Sequence, residues 1–476
     1  MVGGVPINMG HGAALGSGPF VLEGDEYDTA FFDKKSKFLH YRPKLAILTA
    51  IELDHVDIFS DLAAIKASFA EFVGLLPATG ALLISATSSD ALEVAASARC
   101  KVERYGVGPH CPADIEWRAE ITGTRPGGRT LFDVYRHGER LGEFDTGLPG
   151  RYNLENALAV ISAMTHLGLD PKEIARGIRL FAGVKRRQEL CGVAQGVAVV
   201  DDFAHHPTAV RETLLGLRGR HGSGRLFAVM EPRSATSRTA VFQKEFADAL
   251  ALADEVIVGA VHMPEKAPPG NRLDTEQLAA DIRAHGVPAK AMQRAEQIAE
   301  HLSSRVAAGD TVVVMSSGSF DGLHGLLLDR LGDAVVQGTA EDIPGVRALL
   351  HNVGLSQRGI PEDVSELWII RGADREVVGC VALELYGDVG LLRSLAVHPE
   401  RRGEGLGWML AEMVQVRVRQ RGLQQVCLLT EQASDFFAEK FGFKPTERES
   451  LPAEIKLSAE YLSHTTQRAV AMRLML

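Results

Sequence analysis

Short apolar runs alternate with helix-patterned segments through the first two thirds of this 476-residue chain. That alternation restricts the fold to parallel strands joined by crossover helices. The runs at 45–51, 197–200, 226–230, 256–259 and 311–315 read as strands, and Phe20-Val21-Leu22 reads as a further short buried strand. A helix is predicted over 61–76, where Leu62, Ile65, Phe69, Phe72 and Val73 line one face. A second covers 153–167 behind the turn residues Pro149-Gly150, and Phe242, Phe246 and Leu250 mark a third by their i, i+4, i+8 spacing. Between 81 and 148 the pattern shortens into strands and turns, broken at Pro126-Gly127-Gly128. Pro264 to Asn271 reads as a surface loop.

A chain of this length predicts about two to four domains. The formal charge of −10 argues against nonspecific nucleic-acid binding as the main role. Five scattered cysteines form no CxxC pair, the usage of a reducing compartment. No apolar stretch approaches a membrane span and no leader pattern opens the chain, so the expectation is a cytoplasmic protein without a membrane partner.

The acids follow the strands. Glu23-Gly24-Asp25-Glu26-Tyr27-Asp28 comes after Phe20-Val21-Leu22, and Glu52, Asp54 and His55 come at the end of 45–51. Strand carboxyl ends are where open α/β sheets bind ligands, and oxygen ligands suit Mg²⁺. Two solvated acidic loops would look the same.

Gly3-Gly4-Val5-Pro6, Glu23 to Asp28 and Glu52-Leu53-Asp54-His55 resemble the Mur ligase family. Phe31-Phe32-Asp33-Lys34-Lys35-Ser36-Lys37-Phe38 narrows the resemblance to its murein peptide ligase branch. It continues in Gly150 to Ala157, Arg186-Arg187-Gln188-Glu189-Leu190, Asp201-Asp202-Phe203-Ala204-His205-His206-Pro207-Thr208 and Glu231-Pro232-Arg233-Ser234. The resemblance implies ATP-dependent attachment of a murein tripeptide to UDP-N-acetylmuramate in cell-wall recycling. In that reaction a carboxylate is phosphorylated and an amine attacks the acyl phosphate. It also implies roles: Glu23 and His55 as Mg²⁺ ligands, Asn153 and Asn156 near the adenine, Arg187 facing the phosphates and Asp202 near the ribose. Arg233 and Ser234 fall at the peptide substrate, where an arginine can clamp a carboxylate bidentately. His205 and His206 are equally readable as satisfied loop histidines.

The family also carries, upstream of these words, a UDP-binding domain and a phosphate-cradling loop ending in Gly-Lys-Thr. The pattern GxxxxGK[ST] does not occur in this chain. The expectation is that ATP turnover needs that part from an earlier start or a separate P-loop-bearing polypeptide, with a decayed ligase as the third explanation. An apolar face or edge near Phe20 would then lie uncovered.

A new unit follows residue 338. The apolar strand Leu391 to Val397 leads through His398-Pro399 into Arg401-Arg402-Gly403-Glu404-Gly405-Leu406-Gly407 and an amphipathic helix. Such a turn offers backbone N–H groups at a helix N-terminus to a pyrophosphate. With Phe436-Phe437 and Phe441-Gly442-Phe443, it resembles the GNAT acetyltransferases, loosely their arsenic-resistance subgroup. The resemblance implies acetyl-CoA at Leu395, Val397, Arg402, Gly403, Gly405 and Gly407, and a small amine as acceptor. The tyrosine many relatives place four residues before the Gly-Phe pair is Ala438 here. Glu384 is a candidate base or an outward-facing strand acid, and Tyr386 is ambiguous in the same way.

The expected fold is α/β throughout: a Mur ligase central ATPase-type domain truncated at its N-terminus (1–185), a Rossmann-like Mur ligase C-terminal domain (186–333), a linker (334–338) and a GNAT domain (339–476). The expected function is a ligase fused to an N-acetyltransferase. The alternative is an acetyltransferase carrying a silent ligase remnant that binds or scaffolds.

Overall fold

The computed structural model describes residues 2–29, 33–109, 111–112, 114–125, 129–221, 224–358, 360, 366–372, 374–463 and 468–476. Phe31-Phe32 and the Pro126-Gly127-Gly128 break lie outside them. The chain divides into two compact units. The first holds 1–189, 201–297 and 313–321, and the second holds 190–200, 298–312 and 322–476.

The first unit contains a six-stranded sheet in sequential order. Its strands are β1 (Leu45–Leu48), β2 (Ala81–Ser85), β3 (Lys101–Val107), β4 (Trp117–Arg125), β5 (Arg129–Arg136) and β6 (Glu139–Thr146). β1 to β4 pair in parallel, and β4 to β6 antiparallel. Alternate residues of one strand serve opposite cores, as the two-residue pleat requires. Leu82 and Ile84 join Phe38, Phe72 and Val73 under α1 (Leu62–Gly74) and α2 (Ser89–Ala95). Leu83 turns to Trp117, Phe132 and Phe144 under α3 (Arg151–His166) and α4 (Pro171–Leu180). The helices start where side chains accept their first free N–H groups: Asp61 from Ala64, Ser88 from Ala91 and Asp170 from Lys172.

Beyond α4 come β7 (Glu189–Ala194), β8 (Val197–Asp202), α5 (Pro207–His221), β9 (Leu226–Met230) and α6 (Gln243–Leu250). Then follow β10 (Glu255–Val258), α7 (Thr275–Ala284), β11 (Ala289–Ala291), α8 (Ala295–Ser303) and β12 (Thr311–Met315). β10 pairs in parallel with both β9 and β11, and β9, β10 and β12 are buried along their whole lengths. That is why they read in the sequence as unbroken apolar runs.

The second unit continues through α9 (Leu323–Leu331), β13 (Val335–Gln337), α10 (Ile343–Asn352), β14 (Leu367–Arg371), β15 (Val377–Tyr386) and β16 (Val389–Val397). It closes with α11 (Leu406–Gln420), β17 (Gln425–Thr430), α12 (Ser434–Phe441), β18 (Lys444–Thr446), α13 (Ala453–Lys456) and β19 (Val470–Met475). β13 to β16 form an antiparallel meander, β16 pairs in parallel with β17, and β19 sits between β17 and β18. Leu406, Leu410, Met413 and Val414 of α11 cover one face, and Val346, Leu349 and Leu350 of α10 cover part of the other.

Two expectations change. Phe20-Val21-Leu22 is not a strand, and Phe20 is 68% and Val21 58% exposed. Three apolar residues are buried only where a sheet receives them, and this sheet's order starts at β1. The stretch 334–338 is not a free linker. Val335 to Gln337 make β13, which pairs with β14 and, on its other side, with β7. Buried Val335 gives that strand its anchor.

One buried acid makes the first unit acid-sensitive. Glu103 of β3 accepts from Trp117 Nε1 at 2.6 Å and from His166 Nε2 at 2.8 Å, and pairs with Lys101 at 2.5 Å. Burial alone would raise its pKa, yet these bonds together lower it from 4.5 to about 2. A carboxyl depressed in the folded state stabilises above its unfolded pKa and stops doing so as pH falls through the folded value. Urea unfolding of the wild type should therefore lose stability between about pH 4.5 and 2 more steeply than Glu103→Gln. Parallel profiles would refute the assignment.

Candidate functional site

The carboxyl end of β1 is where the first unit concentrates its titratable groups. His55 adopts φ +51°, and its Nε2 meets Glu26 at 2.9 Å. The edge of the Tyr27 ring contacts the imidazole, and Tyr27 donates to Asp57 at 2.6 Å. Burial disfavours the imidazolium, but Glu26, Asp54 and Asp57 outweigh it and leave the His55 pKa above its ordinary value. Glu23 accepts from the backbone N–H of Gly3. That N-terminal segment is tied back at 184, with Lys185 N–H donating to Val5 at 2.9 Å.

Glu23 and His55 thus each have a partner, and Glu26, quoted within the acidic run but given no role of its own, is the acid on the imidazole. Among the described residues no group of three or more His, Cys, Asp or Glu is gathered to hold a metal. A cation held by Glu23 and His55 would displace the Gly3 N–H from the one and Glu26 from the other.

The loops after β8 and β9 reach the same edge. His206 Nδ1 lies 3.2 Å from Glu52 and its Nε2 3.2 Å from the Leu53 carbonyl. His205 Nδ1 lies 2.8 Å from the Phe203 carbonyl, and its Nε2 lies 4.0 Å from Asp54. Asp54 also accepts from Thr236 Oγ1 at 2.5 Å and from His55 N–H at 2.7 Å. His205 and His206 thus both have partners, and His206 ties the loop after β8 to the segment after β1 while Thr236 ties the loop after β9 to it.

Asp202 does not present a carboxylate to a ligand. It is 2% exposed, and it accepts from Gln188 N–H at 2.8 Å, Ala204 N–H at 2.7 Å and Thr213 Oγ1 at 3.3 Å. Burial raises its pKa despite those bonds. Its role here is to lock the backbone beside Arg187, whose guanidinium is exposed and stacks on Phe203 at 5.3 Å. On α3, Asn156 is exposed while Asn153 Nδ2 donates to Pro149 O at 2.7 Å. Asn156 and Arg187 are thus exposed, and Asn153 is partly used by its own turn. Arg233 and Ser234 sit on a tight turn, where both N–H groups donate to Ser237 Oγ at 3.0 and 2.9 Å.

In the second unit β16 pairs with β17 only as far as Leu392 with Leu428. Its register with β15 also slips, because Ser394 and Leu395 fall opposite one residue and Ser394 takes φ +55°. The strand beyond, with half-buried Leu395 and Val397, parts from β17 before the turn into α11. Gly403 and Gly405 hold φ +86° and +84°, with no atom within 4 Å of where a Cβ would stand. The N–H groups of Leu406 and Gly407 precede the first bond of α11, from Trp408 to the Gly405 carbonyl at 3.0 Å, so open space, positive φ and helix-start N–H groups meet at one place. Arg401 is tied to Asp333 at 2.9 Å and Glu404 at 2.7 Å, while Arg402 donates only a 3.4 Å bond to the Val397 carbonyl. This cradle fits a pyrophosphate.

Glu384 and Tyr386 are brought together on β15, and Tyr386 donates to Glu384 at 2.6 Å. Arg393, fully buried, donates to the other carboxylate oxygen at 2.5 Å and pairs with Glu460 at 2.9 Å. Glu384 is therefore neither an outward-facing acid nor a free base, since both its oxygens are occupied. Arg393 and Glu460 escaped sequence reasoning, because 67 residues separate them and only Arg393 lies in a recognisable word.

Comparison with known proteins gives three family matches along the chain. The Mur ligase middle domain matches residues 4–164, the glutamate ligase domain of Mur ligases matches 186–318, and a GNAT acetyltransferase domain matches 363–445. The UDP-N-acetylmuramate–L-alanyl-γ-D-glutamyl-meso-2,6-diaminoheptandioate ligase of Haemophilus influenzae is 38% identical over 338 residues, covering 70% of each chain. That of Escherichia coli is 38% identical over 334 residues, 70% of this chain and 69% of its own. The fold matches UDP-N-acetylmuramate-alanine ligase of Thermotoga maritima with a TM-score of 0.53 at 21% identity, over 69% of this chain and 67% of that one. No helix among the described residues is long and apolar enough to cross a membrane. The chain belongs to the Mur ligase family, and it carries a GNAT acetyltransferase domain after its two ligase domains.

Proposed function

We propose that this chain combines two activities. Its ligase body, residues 1–185 and 186–333, joins L-alanyl-γ-D-glutamyl-meso-diaminopimelate to UDP-N-acetylmuramate with ATP. Its last unit, 339–476, passes an acetyl group from acetyl-CoA to a small amine. The observation that carries the ligase reading is the convergence of the 201–207 and 231–237 loops on the end of β1. That convergence gathers Arg187 and Arg233 into the same compact unit as the acids of 52–57.

ATP, when bound, supplies the phosphoryl group that activates the carboxylate. The residues of this chain do the rest by position and charge. Arg187 offsets phosphate charge, its backbone held by Asp202. Arg233 holds a peptide carboxylate. Asn153 and Asn156 offer amide groups to a purine edge. Mg²⁺ ligation by Glu23 and His55 would require both to leave Gly3 and Glu26, and no step is routed through it. In the last unit the 402–407 turn holds the pyrophosphate and Leu395 and Val397 flank the acyl arm. Glu384 and Tyr386 act as base and acid only if Arg393 releases Glu384.

The test is ADP formation by the full chain, alone and with the N-terminal segment of the Haemophilus influenzae relative supplied as a separate polypeptide. Turnover that requires both tripeptide and UDP-N-acetylmuramate is expected, with loss in Glu23→Ala and His55→Ala. No turnover in either preparation would leave an acetyltransferase with a silent ligase body. Unchanged turnover in both variants would remove the metal assignment alone.

A further inference from the structure

The turn at 316–318 connects the nucleotide-side and peptide-side arginines of the first unit. Arg186, beside Arg187, takes φ +61° and reaches back across the unit. Its Nη2 donates to the carbonyls of Ser316 at 2.7 Å and Gly318 at 2.6 Å, while its Nε pairs with Asp201 at 3.0 Å. Ser316, fully buried, donates from Oγ to the buried carboxylate of Glu231 and accepts the Gly318 N–H at 2.9 Å. Glu231 in turn lies 3.6 Å from Arg233 Nη1 and 3.8 Å from His262 Nδ1. The turn is thus held from both sides.

The guanidinium of Arg233 lies directly over Gly318. A Cβ at Gly318 would fall inside the van der Waals radii of the Arg233 Cζ, Nε and Nη1 atoms. Gly318 is not a residue of positive φ. Its lack of a side chain is therefore explained by the space the guanidinium takes, and not by backbone conformation. The obstructing atoms are the far end of a flexible side chain, so a methyl there displaces Arg233 without disturbing the fold.

We infer that Gly318, fixed by Arg186 and by the Glu231–Ser316 pair, is a positioning residue that aims Arg233 at a carboxylate of the incoming peptide. The inference rests on the ligase reading above. A bidentate guanidinium–carboxylate contact needs both N–H donors in one plane, and a guanidinium pushed off its seat keeps its charge and loses that fork.

The experiment is calorimetric titration of the full chain, supplied with the N-terminal segment of the Haemophilus influenzae relative, with L-alanyl-γ-D-glutamyl-meso-diaminopimelate, with UDP-N-acetylmuramate and a non-hydrolysable ATP analogue present. Gly318→Ala should bind about tenfold more weakly or worse, the range of one lost charge-assisted bond. Its thermal unfolding should match the wild type. Arg233→Lys removes the group that Gly318 seats, so adding Gly318→Ala to it should cost less than about twofold, the mark of coupled residues. Equal binding by Gly318→Ala and wild type would overturn the inference, as would full additivity in the double variant. If the wild type does not bind the tripeptide, the ligase reading itself fails and this inference goes with it.

Discussion

Gly405→Glu is expected to weaken acetyl-CoA binding by about a hundredfold or more, equivalent to roughly 3 kcal/mol. Two effects add. The new side chain enters the open space that a pyrophosphate needs, since no atom lies within 4 Å of the Cβ position. Its carboxylate then faces phosphate oxygens in a turn whose other acid, Glu404, is already paired with Arg401. The same openness means that the substituted chain meets no clash in the free protein, so it should fold. Calorimetric titration with acetyl-CoA decides it, and affinity retained within threefold would defeat the pyrophosphate-cradle assignment. Binding lost together with the thermal transition of the second unit would point to misfolding, which Gly405→Ala, small and uncharged, separates from a binding effect.

The largest stability effect expected is from Trp117→Ala, about 3–5 kcal/mol for truncating a fully buried aromatic. Trp117 is 0% exposed in the core shared by β3 to β6 and α3. Its indole N–H is also one of the donors that keep Glu103 ionised inside the sheet. Truncation leaves a cavity and removes a partner from a buried carboxylate, so the two costs fall on one site. Trp117→Phe refills most of the cavity but not the hydrogen bond, and should lie between. Urea unfolding followed in the first unit checks the order, and a Trp117→Ala transition within 1 kcal/mol of the wild type would contradict this account of the core.

Much of the fold was legible because burial writes itself into the sequence. β9 and β12 occupy the residues their apolar runs marked, 226–230 and 311–315. α1 and α3 start and stop within two residues of the segments marked by periodicity and turn chemistry. Phe20-Val21-Leu22 failed because local hydrophobicity states what a segment would bury and not whether a neighbouring strand exists to receive it. The 334–338 stretch failed in the opposite direction. Three residues are too few for a period, and β13 exists only because β7 and β14 flank it.

The site shows the same division. The chemistry available is written in short stretches of sequence: the acids after β1, the Arg186-Arg187 pair, the Arg233 turn and the Arg-x-x-Gly-x-Gly cradle. These are contiguous words, and each sits on a loop whose place in the α/β pattern is set locally. What each group is free to do was set by the packing of the folded chain. It buried Asp202 under three donors, closed His55 on Glu26, joined Glu384 to Arg393 and Glu460, and seated Arg233 on Gly318. All of those partners but Ala204 lie 9 to 85 residues apart, and no local pattern records them. A side chain's availability depends on which donors the packed sheets bring within about 3 Å of it.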